Sequence, residues 1–257
     1  MGKQRIGKVH FIDLHQQYLS IQEEIDDAVA EVIRGSAFVR GPYVESFEVQ
    51  FAESHGAKYC VSCGNGTDAL YIAIKALGVK EGDEVVVPAM SWISTSESVT
   101  QAGGRVVFCD IDPVSYSIDP NQLQGKITTR TVGIIPVHLY GHPANMDAVL
   151  SIADRHSLWV LEDCAQAHLA SDRGRTVGTI GTAGTFSFYP GKNLGAMGDA
   201  GAILTNDRQL AEKMARFARH GGLQKGEHSV EGINSRMDGL QAAILSVKLR
   251  YLSEWTC

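Results

Sequence analysis

The chain has 257 residues, 44% of them hydrophobic and 20% charged, ordinary proportions for a globular protein with room for one large domain or two small ones. A formal net charge of -6 offers no global basic field to recruit nucleic acid or an anionic membrane. A small anionic ligand would therefore have to be held by local donors, chiefly backbone amides.

Met1-Gly2-Lys-Gln-Arg-Ile6 has no apolar core of the signal-peptide kind, and no apolar run approaches the ~20 residues of a membrane span. The cysteines Cys60, Cys63, Cys109, Cys164 and Cys257 are odd in number and scattered, which points to reduced thiols and a cytoplasmic setting. Cys60-Val-Ser-Cys63 has redox or zinc spacing, but no second pair completes a site. No metal site is expected, and the cysteines read as small strand-end residues.

Leu14, Tyr18, Ile21, Ile25, Ala28 and Val32 step by three and four, which predicts one helix with a buried face. Gly35 ends it, and Gly41-Pro42 opens a second helix carrying Val44, Phe47 and Phe51 and stopped by Gly56. From Tyr59 onward, short apolar runs alternate with helical patterns. The patterning predicts strands over 59–61, 84–87, 105–108, 132–136 and 158–161, and helices over 69–77, 94–102 and 146–156. Further helices are predicted over 207–220 and 237–251, separated by a polar, glycine-rich loop over 221–232. Such alternation implies an α/β fold around a largely parallel, buried sheet.

Three stretches carry chemistry. In Cys63-Gly-Asn-Gly-Thr-Asp-Ala-Leu70 a strand turns through glycines into a helix, whose free N–H groups suit a phosphate that Gly66 lets approach closely. The same residues also describe a plain glycine turn with Thr67 as helix cap. A third reading is dinucleotide binding in an NAD-dependent, Rossmann-type dehydrogenase, since Gly64-x-Gly66-x-x-Ala69 fits that pattern. It requires an acid ending the next strand about 20 residues on. Glu84 lies near that distance but at the strand's start, which weakens the reading.

In Leu158-Trp-Val-Leu-Glu-Asp-Cys-Ala-Gln-Ala-His168, Asp163 closes a buried strand, where open α/β sheets place ligand groups. Glu162 alternates to the other side, so the two acids do not form a working pair. The stretch from Gly184 to Ala202 holds one lysine, Lys192, in a loop punctuated by Pro190, Gly191, Gly195 and Gly198 between two apolar runs. Partial desolvation there would lower its pKa and favour an amine nucleophile. A phosphate cradle, a strand-end aspartate and a loop lysine are the protein parts that pyridoxal phosphate requires. Ser187 adds a hydroxyl for the phosphate. Trp92, following the strand in Pro88-Ala-Met-Ser-Trp-Ile93, suits either stacking on the ring or a place in the core.

The sequence resembles the DegT/DnrJ/EryC1/StrS family of sugar-nucleotide aminotransferases. The likeness runs through Phe11-Ile-Asp-Leu14, Gly64-Asn-Gly-Thr-Asp-Ala-Leu70, Pro136-Val-His-Leu-Tyr-Gly141, Glu162-Asp-Cys-Ala-Gln-Ala167, Ser187-Phe-Tyr-Pro-Gly-Lys-Asn-Leu194 and Gly232-Ile-Asn-Ser-Arg-Met-Asp238, in that order. The resemblance implies a three-layer, fold type I PLP-transferase large domain with a mostly parallel mixed sheet. It implies Lys192 as the Schiff-base lysine and proton shuttle, Asp163 on the pyridinium, and Gln166 near the ring's phenolic oxygen. Gly66, Thr67 and Ser187 would hold the phosphate, Trp92 would stack on the ring, and Asn234 would reach the phosphate across a homodimer interface. Arg236 gains no role. Lysine at 192, where related sugar dehydratases carry histidine, favours transamination.

The implied reaction moves an amino group from L-glutamate to a nucleotide-linked ketosugar. The residues around Lys192 resemble those of enzymes that aminate C3 of dTDP-3-keto-6-deoxyhexoses more than those acting on 4-keto sugars. Members of the family continue past the point where this sequence stops, into a smaller C-terminal domain. The expectation is thus an N-terminal helical segment plus large PLP-binding domain over 1–237, and over 238–257 the start of a helix leading to a small domain absent here. Two consequences are expected. The apolar face between Leu14 and Val32 loses its cover, and a truncated, catalytically impaired PLP-binding module becomes an alternative to the working enzyme.

Overall fold

The computed structural model describes residues 11–224 and 226–256; the sequence readings that involve 1–10 and Cys257 lie outside the described residues. In chain order the elements are α1 (Leu14–Ser20), α2 (Gln22–Arg34), α3 (Pro42–His55), β1 (Tyr59–Cys63), α4 (Gly66–Ala76), β2 (Glu84–Pro88), α5 (Ser94–Gln101) and β3 (Arg105–Cys109). Then come the single turn α6 (Pro120–Leu123), β4 (Thr131–Ile134), α7 (Met146–His156), β5 (Trp159–Asp163) and the short pair β6 (Ser171–Asp172) and β7 (Arg175–Thr176). The chain continues through β8 (Ala183–Ser187), β9 (Gly201–Thr205), α8 (Arg208–Ala218), α9 (Gly239–Leu249) and α10 (Leu252–Trp255).

The main sheet is seven-stranded in the order β1-β9-β8-β5-β4-β2-β3. Only β9 runs against its neighbours, β1 and β8; the pairings from β8 to β3 are all parallel. Helices cover both faces, giving the three layers. Val61, Val85, Val87, Leu161, Ala183 and Ile203 pack on one side with α4 and α8. On the other side Phe186, Ala202 and Leu204 meet α3 and α9, while Val86, Ile134 and Val160 meet α7. Because side chains alternate along a strand, Asp163 shares the α4 side with Leu161, and Ser187 shares it with Ala183. Glu162 and Phe186 go to the opposite face.

Four sequence expectations are corrected. The helix predicted from Leu14 to Val32 breaks at Ile21, whose backbone leaves the helical region (φ -135°, ψ 26°). From Ile21 onward its apolar face is covered: Ile21, Ile25 and Val32 are buried, and Ile21 and Ile25 pack with Ile244 and Val247 of α9, whereas Leu14 is exposed. The N-cap of α4 is Asn65, whose Oδ1 accepts from the Asp68 N–H at 2.8 Å; Thr67 lies inside the helix. Cys63 and Cys109 end strands and Cys164 follows one, whereas Cys60 sits second in β1. Glu84 begins β2 and is bound by Arg130 (2.7 Å) and the Thr128 hydroxyl, at the opposite end of its strand from the one a dinucleotide ribose requires. Among the described residues no helix is long and apolar enough to cross a membrane.

Candidate active site

At the carboxyl ends of the parallel strands, on the α4 side of the sheet, lies a cavity of about 610 Å³. Its wall includes Gly66, Thr67, Trp92, Asp163, Gln166, Ser187 and Lys192, seven of the eight residues singled out in the sequence. Asn234 is the eighth; it is exposed, pairs by a backbone bridge with Arg219 and does not line the cavity of its own chain.

One end of the cavity is a helix start. The first-turn N–H groups of α4 have no intrahelical acceptor, and the first of them belongs to Gly66. A Cβ on Gly66 would stand 2.5 Å from Ser187 Cβ, so only glycine lets α4 and β8 approach this closely. Ser235 fixes the turn: its Oγ accepts from the Gly64 N–H (2.9 Å) and donates to Asp68 Oδ2 (2.6 Å). Thr67 Oγ1 lies 2.7 Å from Ser94 Oγ on α5. Amides, hydroxyls and a required glycine line this end of the cavity and form a donor set of the polarity a phosphate monoester needs.

Asp163 marks the other end. It is only 5% exposed, with Oδ1 accepting from the Ala165 N–H (3.1 Å) and Oδ2 from the Thr95 hydroxyl (2.8 Å). Burial pushes its carboxyl up, opposed by those two hydrogen bonds and by the charge of Lys192. Burial likewise lowers the Lys192 ammonium, which Asp163 partly offsets. The lysine sits in a tight loop between β8 and β9. Its backbone N–H donates to Tyr189 O (2.8 Å), and the Ala196 N–H donates to Phe188 O (2.7 Å). A Cβ on Gly195 would fall 2.2 Å from Pro190 O, and the buried Lys248 ammonium donates to Gly195 O (2.7 Å).

Gln166 is oriented from outside the cavity: Tyr140, in the left-handed backbone region (φ 56°), donates its N–H to Gln166 Oε1 at 2.9 Å. That leaves the amide NH₂ as the donor available to a ligand. Trp92 is 74% exposed on the cavity wall, so it belongs to the site rather than to the core.

Glu162 does turn away from Asp163. It is fully buried and accepts from the N–H groups of Gly178, Ile180 and Gly181 (2.7–2.8 Å) and from His138 Nε2 (3.0 Å). His138 Nδ1 accepts from the Ala144 N–H, which places the ring proton facing Glu162 on Nε2. Cys164 lies close enough to this pair to suggest a three-ligand metal site. The donor atoms of His138 and Glu162 are already committed to these hydrogen bonds, and burial pushes the Cys164 thiol up, so the trio fits a structural clasp.

Sequence reasoning missed Thr95, Ser91, Ser94 and Ser235. The hydroxyl-rich run from Ser91 to Ser98 just beyond a strand end was the available signal for the first three. Ser235 lies inside a motif already singled out, but its contact with Asp68 spans 167 positions.

The model of the DegT/DnrJ/EryC1/StrS aminotransferase family matches residues 19–257. The chain is 49% identical over 248 residues to a pleiotropic regulatory protein of Geobacillus stearothermophilus, covering 96% of this chain and 67% of that protein. It is 42% identical over 248 residues to a dTDP-3-amino-3,4,6-trideoxy-alpha-D-glucose transaminase of Streptomyces venezuelae, covering 96% and 65%. Among solved structures, S. venezuelae DesV aligns with a TM-score of 0.94 at 42% identity over 96% of this chain and 67% of that one. Bacillus subtilis NtdA with bound cofactor PMP aligns with a TM-score of 0.91 at 37% identity, over 98% and 58%. The chain thus spans about two thirds of the length of the curated relatives it matches.

Proposed function

The chain belongs to the DegT/DnrJ/EryC1/StrS aminotransferase family, and from that premise we propose that it transfers an amino group from L-glutamate to a nucleotide-linked ketosugar using pyridoxal phosphate. The observation that carries the proposal is the convergence of Lys192, Asp163 and the Gly66–Ser187 cradle on one cavity. The cavity volume, the donors at one end and the buried carboxylate at the other fit the cofactor's phosphate and ring nitrogen. Pyridoxal phosphate, when bound, supplies an electron sink and carries the amino group between the two substrates.

In this reading the chain's residues divide the work. Gly66, Thr67 and Ser187 hold the phosphate. Asp163 accepts the hydrogen bond of the ring N–H and keeps that nitrogen protonated. Gln166 donates to the phenolic oxygen, and Trp92 covers a ring face and excludes water. Lys192, with its ammonium disfavoured by burial, supplies the amine that anchors the cofactor and moves the proton at the substrate's α-carbon. Asn234, exposed and outside its own cavity, serves the phosphate of a second copy, so the working unit is a homodimer.

The S. venezuelae relative's name places the amine at C3 of a dTDP-linked deoxyglucose. Together with the residues flanking Lys192, this favours C3 amination of a dTDP-3-keto-6-deoxyhexose. Among the described residues, four cysteines in free thiol form suit a cytoplasmic setting.

The test is spectroscopic. Added pyridoxal phosphate should give a visible absorption band that Lys192→Ala abolishes, that L-glutamate bleaches and that a dTDP-linked 3-ketosugar restores. A chain without a band, or a band that survives Lys192→Ala, would sink the cofactor assignment. Bleaching that no nucleotide-linked ketosugar reverses would overturn the working-enzyme reading in favour of a catalytically impaired PLP-binding module.

A further inference from the structure

The first two residues of α5 touch both ends of the cavity. Ser94 Oγ meets Thr67 Oγ1 at the phosphate-type end (2.7 Å), and Thr95 Oγ1 meets Asp163 Oδ2 at the other (2.8 Å). Thr95 is 1% exposed, so bulk water does not compete for its hydroxyl. Behind it, Ser91 Oγ lies 2.8 Å from Thr95 Oγ1. A threonine hydroxyl has one proton to give. While Thr95 donates it to Asp163, Ser91 must donate to Thr95. A donor is bound more strongly by a carboxylate than by a neutral carboxyl, so the chain Ser91–Thr95–Asp163 favours the ionised form of Asp163.

The charged or titratable groups facing that carboxylate are Lys192, from the loop after β8, and His138, from the segment after β4. His138 accepts the Ala144 N–H at Nδ1 and donates from Nε2 to Glu162. The stabilising partners of the charged form are the Ala165 N–H and the Thr95 hydroxyl, followed by Lys192 and His138, set against the cost of burial.

We propose that Thr95 is a positioning residue for Asp163, holding the carboxylate oriented and ionised through a hydroxyl relay that begins at Ser91. The proposal rests on the reading above for what Asp163 faces, but the relay itself is a property of the protein alone.

The test is a carbon-detected NMR pH titration of the Asp163 carboxyl in the cofactor-free chain. Thr95→Val keeps the shape and removes the donor, and should raise the Asp163 midpoint by about one pKa unit or more, a roughly tenfold change in its ionisation equilibrium. Thr95→Ser should return it to near the wild-type value, and Ser91→Ala should raise it by a smaller amount. If Thr95→Val does not fold, Ser91→Ala decides. Midpoints that do not move in Thr95→Val or Ser91→Ala, or that rise as far in Thr95→Ser as in Thr95→Val, overturn the proposal. A missing pyridoxal phosphate band in the wild type would instead overturn the functional reading, and the titration separates the two failures.

Discussion

At the scale of single residues, the phosphate end of the site depends on a glycine. Gly66 has ordinary backbone geometry, and what requires glycine there is Ser187, whose Cβ would lie 2.5 Å from a new methyl group. Overpacking of this kind costs about 1–3 kcal/mol, and the strain falls on the phosphate cradle. Gly66→Ala should weaken pyridoxal phosphate binding roughly tenfold or more, read as the midpoint of a spectrophotometric titration. The double variant Gly66→Ala/Ser187→Gly, which removes the opposing Cβ, should recover part of the loss. The residues behind this prediction were legible in the sequence, because a strand turning through glycine into a helix has a local signature. Thr95 was not legible as a partner of Asp163, since the contact joins positions 68 apart and either residue alone reads as an ordinary helix-start or strand-end group.

At the scale of elements, β5 shows how one strand serves two purposes. Alternation sends Asp163 to the cavity and Glu162 to the opposite face, where its two oxygens gather three backbone N–H groups and His138 Nε2. The turn over 178–181 is thereby fastened to the strand that carries Asp163. Glu162→Gln is nearly isosteric yet places an NH₂ group against N–H donors on one side. His138 cannot switch tautomer to relieve it without losing the Ala144 N–H. Loss of about 2–4 kcal/mol is expected, measured as a lower urea midpoint with an unchanged slope. The sequence indicated that the two acids part company, since period-two alternation is a local property. It did not indicate what Glu162 holds, because 178–181 has no recognisable pattern of its own.

The whole molecule carries a pH liability in its aromatic core. His55 and His168 are buried among Phe51, Phe186 and Phe188. Among the described residues His55 Nε2 and both ring nitrogens of His168 lack hydrogen-bond partners. Burial lowers their pKa values to about 4 and about 3. The folded chain therefore keeps both rings neutral over a range in which the unfolded chain, near 6.5, takes up protons. Stability from this source is intact above pH 6.5 and declines as pH falls toward 4 and 3, by up to about 1.4 kcal/mol per pH unit for each histidine. Thermal unfolding temperatures should drop across that window. His168→Leu should flatten the drop, and an equally steep decline in the variant would remove this explanation.

By itself the sequence determined the α/β alternation, the helix stops at Gly35 and Gly56, the strand parity of Asp163 against Glu162, and the loop that carries Lys192. All of these follow from interactions within a few residues: period, backbone freedom at glycine, and turn chemistry. Only the tertiary structure decided that Ile21 breaks the first helix and that α9 covers α2. It alone joined α5 to both ends of the cavity, fastened the turn over 178–181 to β5, and left Asn234 outside the cavity of its own chain. Those outcomes depend on which distant surfaces come to lie 3–4 Å apart once the sheet has ordered its strands, and strand order is a long-range property that no local pattern in the sequence encodes.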